Sequence, residues 1–104
     1  MTAGLNDWNA DAERAVLGAL LLRGEAIDRL TLEPDEFYHL PHRELFAAMN
    51  RLRAAGQPVF DPVLLENEVG PKWQAVGGFP YVADLLRDVP TADNVEHYAG
   101  LVAE

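Results

Sequence analysis

From Ala12 to Val102 the apolar residues return every three or four positions, and no stretch alternates apolar with polar residues. The first spacing belongs to α-helices; the second, missing here, belongs to half-buried strands. Proline and glycine cut the periodic stretches into short pieces, so long parallel helices have no room to form. An all-α fold follows: a compact orthogonal domain of about six short helices, whose contacts are mostly local.

Asn9 is placed to cap a first helix, with Asp11 and Glu13 in the opening turn, where the positive end of the helix dipole favours acids. Its apolar residues Ala12, Val16, Leu17, Leu20, Leu21 and Leu22 cover most of the circumference, which predicts burial on several sides. Gly18 costs about 1 kcal/mol of helix propensity relative to alanine, so its presence mid-helix points to a close helix–helix approach. A second helix is expected over residues 25–30, with Ile27 and Leu30 inward. Residues 32–38 read as a connector whose aromatic pair, Phe37 and Tyr38, seals the core. Pro41 suits the first turn of a third helix that runs to about Ala55 and stops at a left-handed Gly56. Leu45, Phe46, Met49 and Leu52 share its inner face.

Asp61 and Pro62 pair an N-cap with a first-turn proline for a fourth helix through Val69, ended by Gly70. After a loop carrying Lys72, Trp73, Gly77 and Gly78, a fifth helix starts at Pro80 and turns Val82, Leu85, Leu86 and Val89 inward. Pro90 breaks it. Thr91 caps a sixth, with Val95, Tyr98, Ala99 and Val102 on one face. Residues 1–8 read as a tail. No glycine or proline stops the last helix before Glu104, which marks the chain as a piece of a longer one.

Seventeen acidic against eight basic residues leave a net charge of −9. Nucleic-acid surfaces cluster Lys and Arg, because phosphate neutralisation drives that binding. Here Lys72 is the single lysine and the arginines are scattered, so direct nucleic-acid binding is not expected, whereas a basic protein partner fits. The lack of cysteine rules out disulfides and thiolate metal sites and suits a reducing compartment. No apolar run approaches the ~20 residues of a membrane span. Asp7 and Asp11 stand where a signal peptide would be basic. A cytoplasmic protein without membrane contact is the expectation.

Chemistry finds little support. His39 and His42 lie close in sequence, but Pro41 between them is expected to keep one helical turn from presenting both, and a metal site wants three or four ligands. The acid pairs Asp11 with Glu13, Asp35 with Glu36, Glu66 with Glu68 and Asp84 with Asp88 read as solvated faces of an acidic chain, since acid–base work needs a cleft and shifted pKa values. Serine and cysteine, the common nucleophiles, are absent, and Gly77-Gly78 is too short to cradle phosphate. No catalytic residue, cofactor or metal is expected. One stripe points to binding: Tyr81, Asp84 and Asp88, at i, i+3 and i+7, turned away from the apolar face of the fifth helix. Either it is a docking patch for a basic partner, or Tyr81 closes the edge of the core with its hydroxyl in water.

Read in order, several segments resemble the N-terminal domain of DnaB-type bacterial replicative DNA helicases. Ala12-Glu13-Arg14-Ala15-Val16-Leu17-Gly18-Ala19-Leu20-Leu21 is similar to the family's AEQAVLGALL. Phe37-Tyr38 with His42-Arg43 resembles its FY…HR step, and Gly56-Gln57-Pro58-Val59 its G-x-P-[VI], with Asp61 near the aspartate that follows. Val76-Gly77-Gly78-Phe79-Pro80-Tyr81 is similar to [IV]-GG-x-x-Y, and residues 89–99 to VPTAANVEYYA. The resemblance covers residues 9–104. Phe60, Pro62 and Gly70-Pro71-Lys72-Trp73 depart from the pattern.

The resemblance implies a non-catalytic helical head, with the family's helical hairpin, linker and ATP-hydrolysing motor absent from these residues. It implies self-association, as a dimer in isolation and a hexamer in the full-length parent, and docking of primase, with a helicase loader as a further partner. Tyr81 matches a primase-facing tyrosine of the family, and Asp11 an acid that belongs with it. The alternative is a stand-alone adaptor or decoy that mimics the head. A small hydrolase or metalloenzyme built on the histidines and acids is the least supported.

Overall fold

The computed structural model describes residues 9–89 and 91–103. Five α-helices order the fold: α1 Ala10–Leu22, α2 Leu40–Ala54, α3 Pro62–Val69, α4 Gly78–Asp88 and α5 Val95–Ala103. Short 3₁₀ turns fill Gly24–Arg29, Pro34–Glu36 and Gly70–Lys72. Among the described residues there is no strand, and no helix is long and apolar enough to cross a membrane. The all-α expectation is met.

The helix starts follow from local chemistry. Asn9 Oδ1 accepts from the Ala12 N–H at 3.0 Å, and Asp61 Oδ1 from those of Val63 and Leu64 at 2.9 and 3.3 Å. Each satisfies donors that a helix leaves without partners in its first turn. Gly56, at φ 74°, ends α2 as expected.

Helix α1 lies at the centre, packed on α2, α4 and α5, while α3 packs mainly on α2 and also touches α4. Val16, Leu17, Ala19 and Leu20 are wholly buried and meet Leu45, Phe46, Met49, Leu85 and Val95 in one core. Gly18 permits the closest approach. A Cβ there would stand 2.5 Å from the carbonyl oxygen of Leu85 and 3.0 Å from Val89. Surface ion pairs tie the periphery: Arg51 to Glu68 between α2 and α3, Arg53 to Asp28, and Lys72 to Glu44.

Several expectations need correction. The second helix is a 3₁₀ turn, and the connector holds another, closed by a capping box between Glu33 and Glu36. Phe37 is buried, but Tyr38 is 60% exposed and seals nothing. Leu22 and Leu86 face solvent at 48% and 42%, because the contacts of α1 end before Leu22 and α4 lays only a narrow stripe of Val82, Leu85 and Val89 on its neighbour. Helix α4 begins at Gly78, two residues early: Gly77, at φ 111°, caps it, and Pro80 still falls in the first turn, where a missing N–H costs nothing. Thr91 does not cap α5. Its Oγ1 accepts from the Asp93 N–H in a separate turn, and the helix starts at Val95. The tail over residues 1–8 and the break at Pro90 lie outside the described residues.

Candidate functional site

Among the described residues, two charged or polar side chains sit inside this apolar core: Glu13 of α1, 2% exposed, and His42 of α2, 1% exposed. They meet. His42 Nδ1 lies 2.7 Å from Glu13 Oε1, and Glu13 also accepts from the backbone N–H of Tyr38 at 2.6 Å and of His39 at 3.4 Å. Tyr38 and His39 form the entry to α2 and His42 its first turn, so the one carboxylate of α1 anchors the start of α2.

On its other side His42 reaches α4. Its Nε2 stands 2.6 Å from the Tyr81 hydroxyl, which is 3.3 Å from Arg14 Nη1 of α1. Arg14 lies over the Tyr81 ring, 5.4 Å from its centre, and its Nη2 pairs with Asp88 of α4. The proton order follows from the partners. A carboxylate only accepts, so Nδ1 carries the hydrogen and donates to Glu13. Nε2 then accepts from the Tyr81 O–H, whose oxygen accepts from Arg14. Burial pushes the His42 imidazole below its ordinary range, against the opposing pull of Glu13. Burial likewise raises the Tyr81 phenol, against Arg14. Near neutral pH the imidazole is therefore uncharged and the phenol protonated, which the relay requires.

The relay runs from buried Glu13 in the first turn of α1 to the half-buried Tyr81, joining α1, α2 and α4. With a donor and an acceptor assigned at each step from Arg14 to Glu13, the relay is suited to fixing the orientation of its members. Among the described residues no three His, Asp or Glu side chains converge as a metal site would require.

The stripe expected on α4 is only partly an open patch. Tyr81 turns its hydroxyl inward to His42, not to water. Asp88 is held by Arg14 and Asp84 by Arg87 of the same helix. Asp11, exposed at the start of α1, joins them: Asp11, Arg14, Ala15, Leu85, Asp88 and Val89 line one shallow depression of about 210 Å³ between α1 and α4. Asp11, Tyr81 and Asp88 thus share the α1–α4 face, while Asp84 stands one turn from Asp88, tied to Arg87.

Sequence reasoning missed Glu13 and His42. Glu13 is not a solvated dipole partner, and Pro41 does not part the histidines, whose rings lie 4.6 Å apart edge to face. The signal was present. Glu13 stands at i with Val16, Leu17 and Leu20 at i+3, i+4 and i+7, and His42 stands likewise with Leu45, Phe46 and Met49. A polar residue at a stripe position is buried with the stripe.

The sequence matches the family model described as "DnaB-like helicase N terminal domain" over residues 6–104. It is 40% identical over 112 residues to the replicative DNA helicase DnaC of Bacillus subtilis (strain 168), covering 100% of this chain and 24% of that protein. To the replicative DNA helicase DnaB of Geobacillus stearothermophilus it is 39% identical over 97 residues, covering 90% of this chain and 21% of that protein. The chain thus spans about a quarter of the length of these relatives. Among solved structures, the N-terminal domain of DnaB helicase from Mycobacterium tuberculosis superposes with a TM-score of 0.85 at 35% identity, covering 92% of this chain and 71% of that one. A DnaB-like replicative helicase, described with its interactions with primase, superposes at 0.82 with 32% identity over 91% of this chain and 23% of its own. Sequence and fold agree over at least nine-tenths of the residues, and the chain belongs to the DnaB-like helicase N-terminal domain family.

Proposed function

We propose that this domain organises the N-terminal collar of a replicative helicase ring and docks primase on the α1–α4 face. The observation that carries the docking is the gathering of Asp11, Tyr81 and Asp88 on that face, from residues far apart in sequence. A half-buried aromatic ring beside carboxylates, with Leu85 and Val89 at the base of the depression, is the composition of an interface centre that receives a basic side chain. The likeness to a helicase described with its interactions with primase supports primase as the partner. The domain performs no chemistry in this role. Its packing sets collar geometry and primase access, while ATP is used by a motor in the parent.

Self-association to a dimer in isolation and a hexamer in the parent, contact with a helicase loader, and a cytoplasmic setting belong to the same proposal, supported by the family membership. Sedimentation across a wide concentration range tests the first: a strict monomer at high concentration overturns dimerisation through these residues. For docking, Tyr81→Ala is expected to weaken binding of a primase's helicase-binding domain at least tenfold, on the order of an interface hot spot. Normal binding by the folded variant refutes the placement.

A further inference from the structure

A helical core of this kind does not need a buried carboxylate and imidazole to be stable. Replacing buried polar pairs by packed apolar residues is often neutral or stabilising. Yet the relay in this core is complete in both directions, and it emerges at one surface residue, Tyr81. Two constraints converge there. The hydroxyl proton is taken by His42 Nε2 at 2.6 Å. The Arg14 guanidinium lies over one face of the ring, 5.4 Å from its centre, with Nη1 3.3 Å from the hydroxyl oxygen.

We infer that Glu13 and His42 are positioning residues for Tyr81, fixing the direction of its phenol proton so that the residue offers a partner its ring and an oxygen that only accepts. Glu13 sets the tautomer: its carboxylate demands the hydrogen on Nδ1, which leaves Nε2 as the acceptor. His42 passes that choice to the phenol. With the proton turned inward and one lone pair taken by Arg14, the remaining lone pair meets only donors. A lysine or arginine side chain fits this surface, and a carboxylate or carbonyl presented to the same hydroxyl does not. The inference rests on the docking role proposed above and assigns its selectivity to two residues that a partner never touches.

Two substitutions of His42 separate positioning from bulk structure. Asparagine puts its amide near the Nδ1 position, so His42→Asn can still donate to Glu13 but leaves the Tyr81 hydroxyl without its acceptor. Glutamine reaches the Nε2 position, so His42→Gln can accept from Tyr81 while losing Glu13. Both disturb the core, and both melting temperatures fall. Titrated against a primase's helicase-binding domain, the folded His42→Asn chain is expected to lose about fivefold or more in affinity, and the His42→Gln chain less than about twofold, since one hydrogen bond decides the difference. In a Tyr81→Phe background, which has no phenol proton to direct, His42→Asn should have no further effect.

The idea is overturned if both variants lose affinity in step with their loss of stability, or if His42→Asn still weakens binding in the Tyr81→Phe background. A partner-free readout accompanies the titration. The ring resonances of 13C-labelled Tyr81 in the free chain should shift with His42→Asn and stay in place with His42→Gln; identical behaviour in the two also overturns it. Failure of the unaltered chain to bind the primase domain sinks the docking proposal alone, and the ring resonances then decide the positioning.

Discussion

Glu13→Ala tests the buried relay most directly. The side chain is 2% exposed and accepts from the Tyr38 and His39 N–H groups and from His42 Nδ1. Truncation removes the acceptor but leaves the donors in place in a buried site. Each buried donor without a partner costs about 1–3 kcal/mol, and removing one member of a buried pair typically costs about 3–5 kcal/mol in all. The longest contact, at 3.4 Å, adds little, so about 3–5 kcal/mol is the expected loss. Whole-domain stability is about 5–15 kcal/mol, and 1 kcal/mol moves the melting temperature of a chain this size by about 4–8 °C. The midpoint should therefore fall by at least about 12 °C, with a matching drop in the urea midpoint and no change in m-value. Glu13→Gln, which keeps a carbonyl to accept from Tyr38, should lose distinctly less. A loss below about 1 kcal/mol for Glu13→Ala would place that carboxylate in water and refute the relay.

His42 gives a pH signature. Its folded imidazole is held below the ordinary 6.5, mainly by burial. As pH falls below 6.5 the unfolded chain takes the proton first, so the contribution is full above that value and is lost on acidification, by at most about 1.4 kcal/mol per pH unit. Urea titrations between pH 7.5 and 5 should show this slope, and His42→Gln should remove it. Asp28, held below its usual 3.8 chiefly by the hydrogen bond from Arg53, loses its contribution only as pH falls through that lower window and does not interfere. Gly18→Ala gains about 1 kcal/mol of helix propensity but drives a methyl into the Leu85 carbonyl, so a net loss of about 1–3 kcal/mol is expected on thermal unfolding. Leu85→Ala should cost about 2–5 kcal/mol, and exposed Leu86→Ala under about 1 kcal/mol; equal losses would contradict the facing of α4.

What the sequence disclosed tracks how local the cause is. Caps at Asn9 and Asp61 and the stop at Gly56 depend on neighbours within a few residues, and they stand where expected. Thr91 also bonds locally, but into a competing turn whose preference over a cap depends on how Ala92 is buried in the core. The facing of Leu22, Tyr38 and Leu86 is set by which helix lies opposite, and periodicity along one helix carries no information about where its neighbour ends. The relay is the extreme case. Glu13, His42 and Tyr81 are 29 and 39 residues apart along the chain, and only the packing of α1, α2 and α4 brings them together. Their positions on apolar stripes marked Glu13 and His42 as buried, but not as partners. The family resemblance singled out Tyr81 and Asp11 without indicating what holds either in place.

The central placement of α1 bears on how the domain is made. Of the five helices described it is made first, yet it is covered by α4 and α5, which follow the other three in the sequence. Until α5 is available, Val16 and Leu20 have no lasting shelter, and Glu13 has no imidazole before α2 is out. Growth from the N-terminus thus yields no stable partial domain, only an apolar helix awaiting its walls. Chains released before Val95 should be drawn to chaperones or proteases, and these residues should fold in one concerted event once α5 clears the exit tunnel.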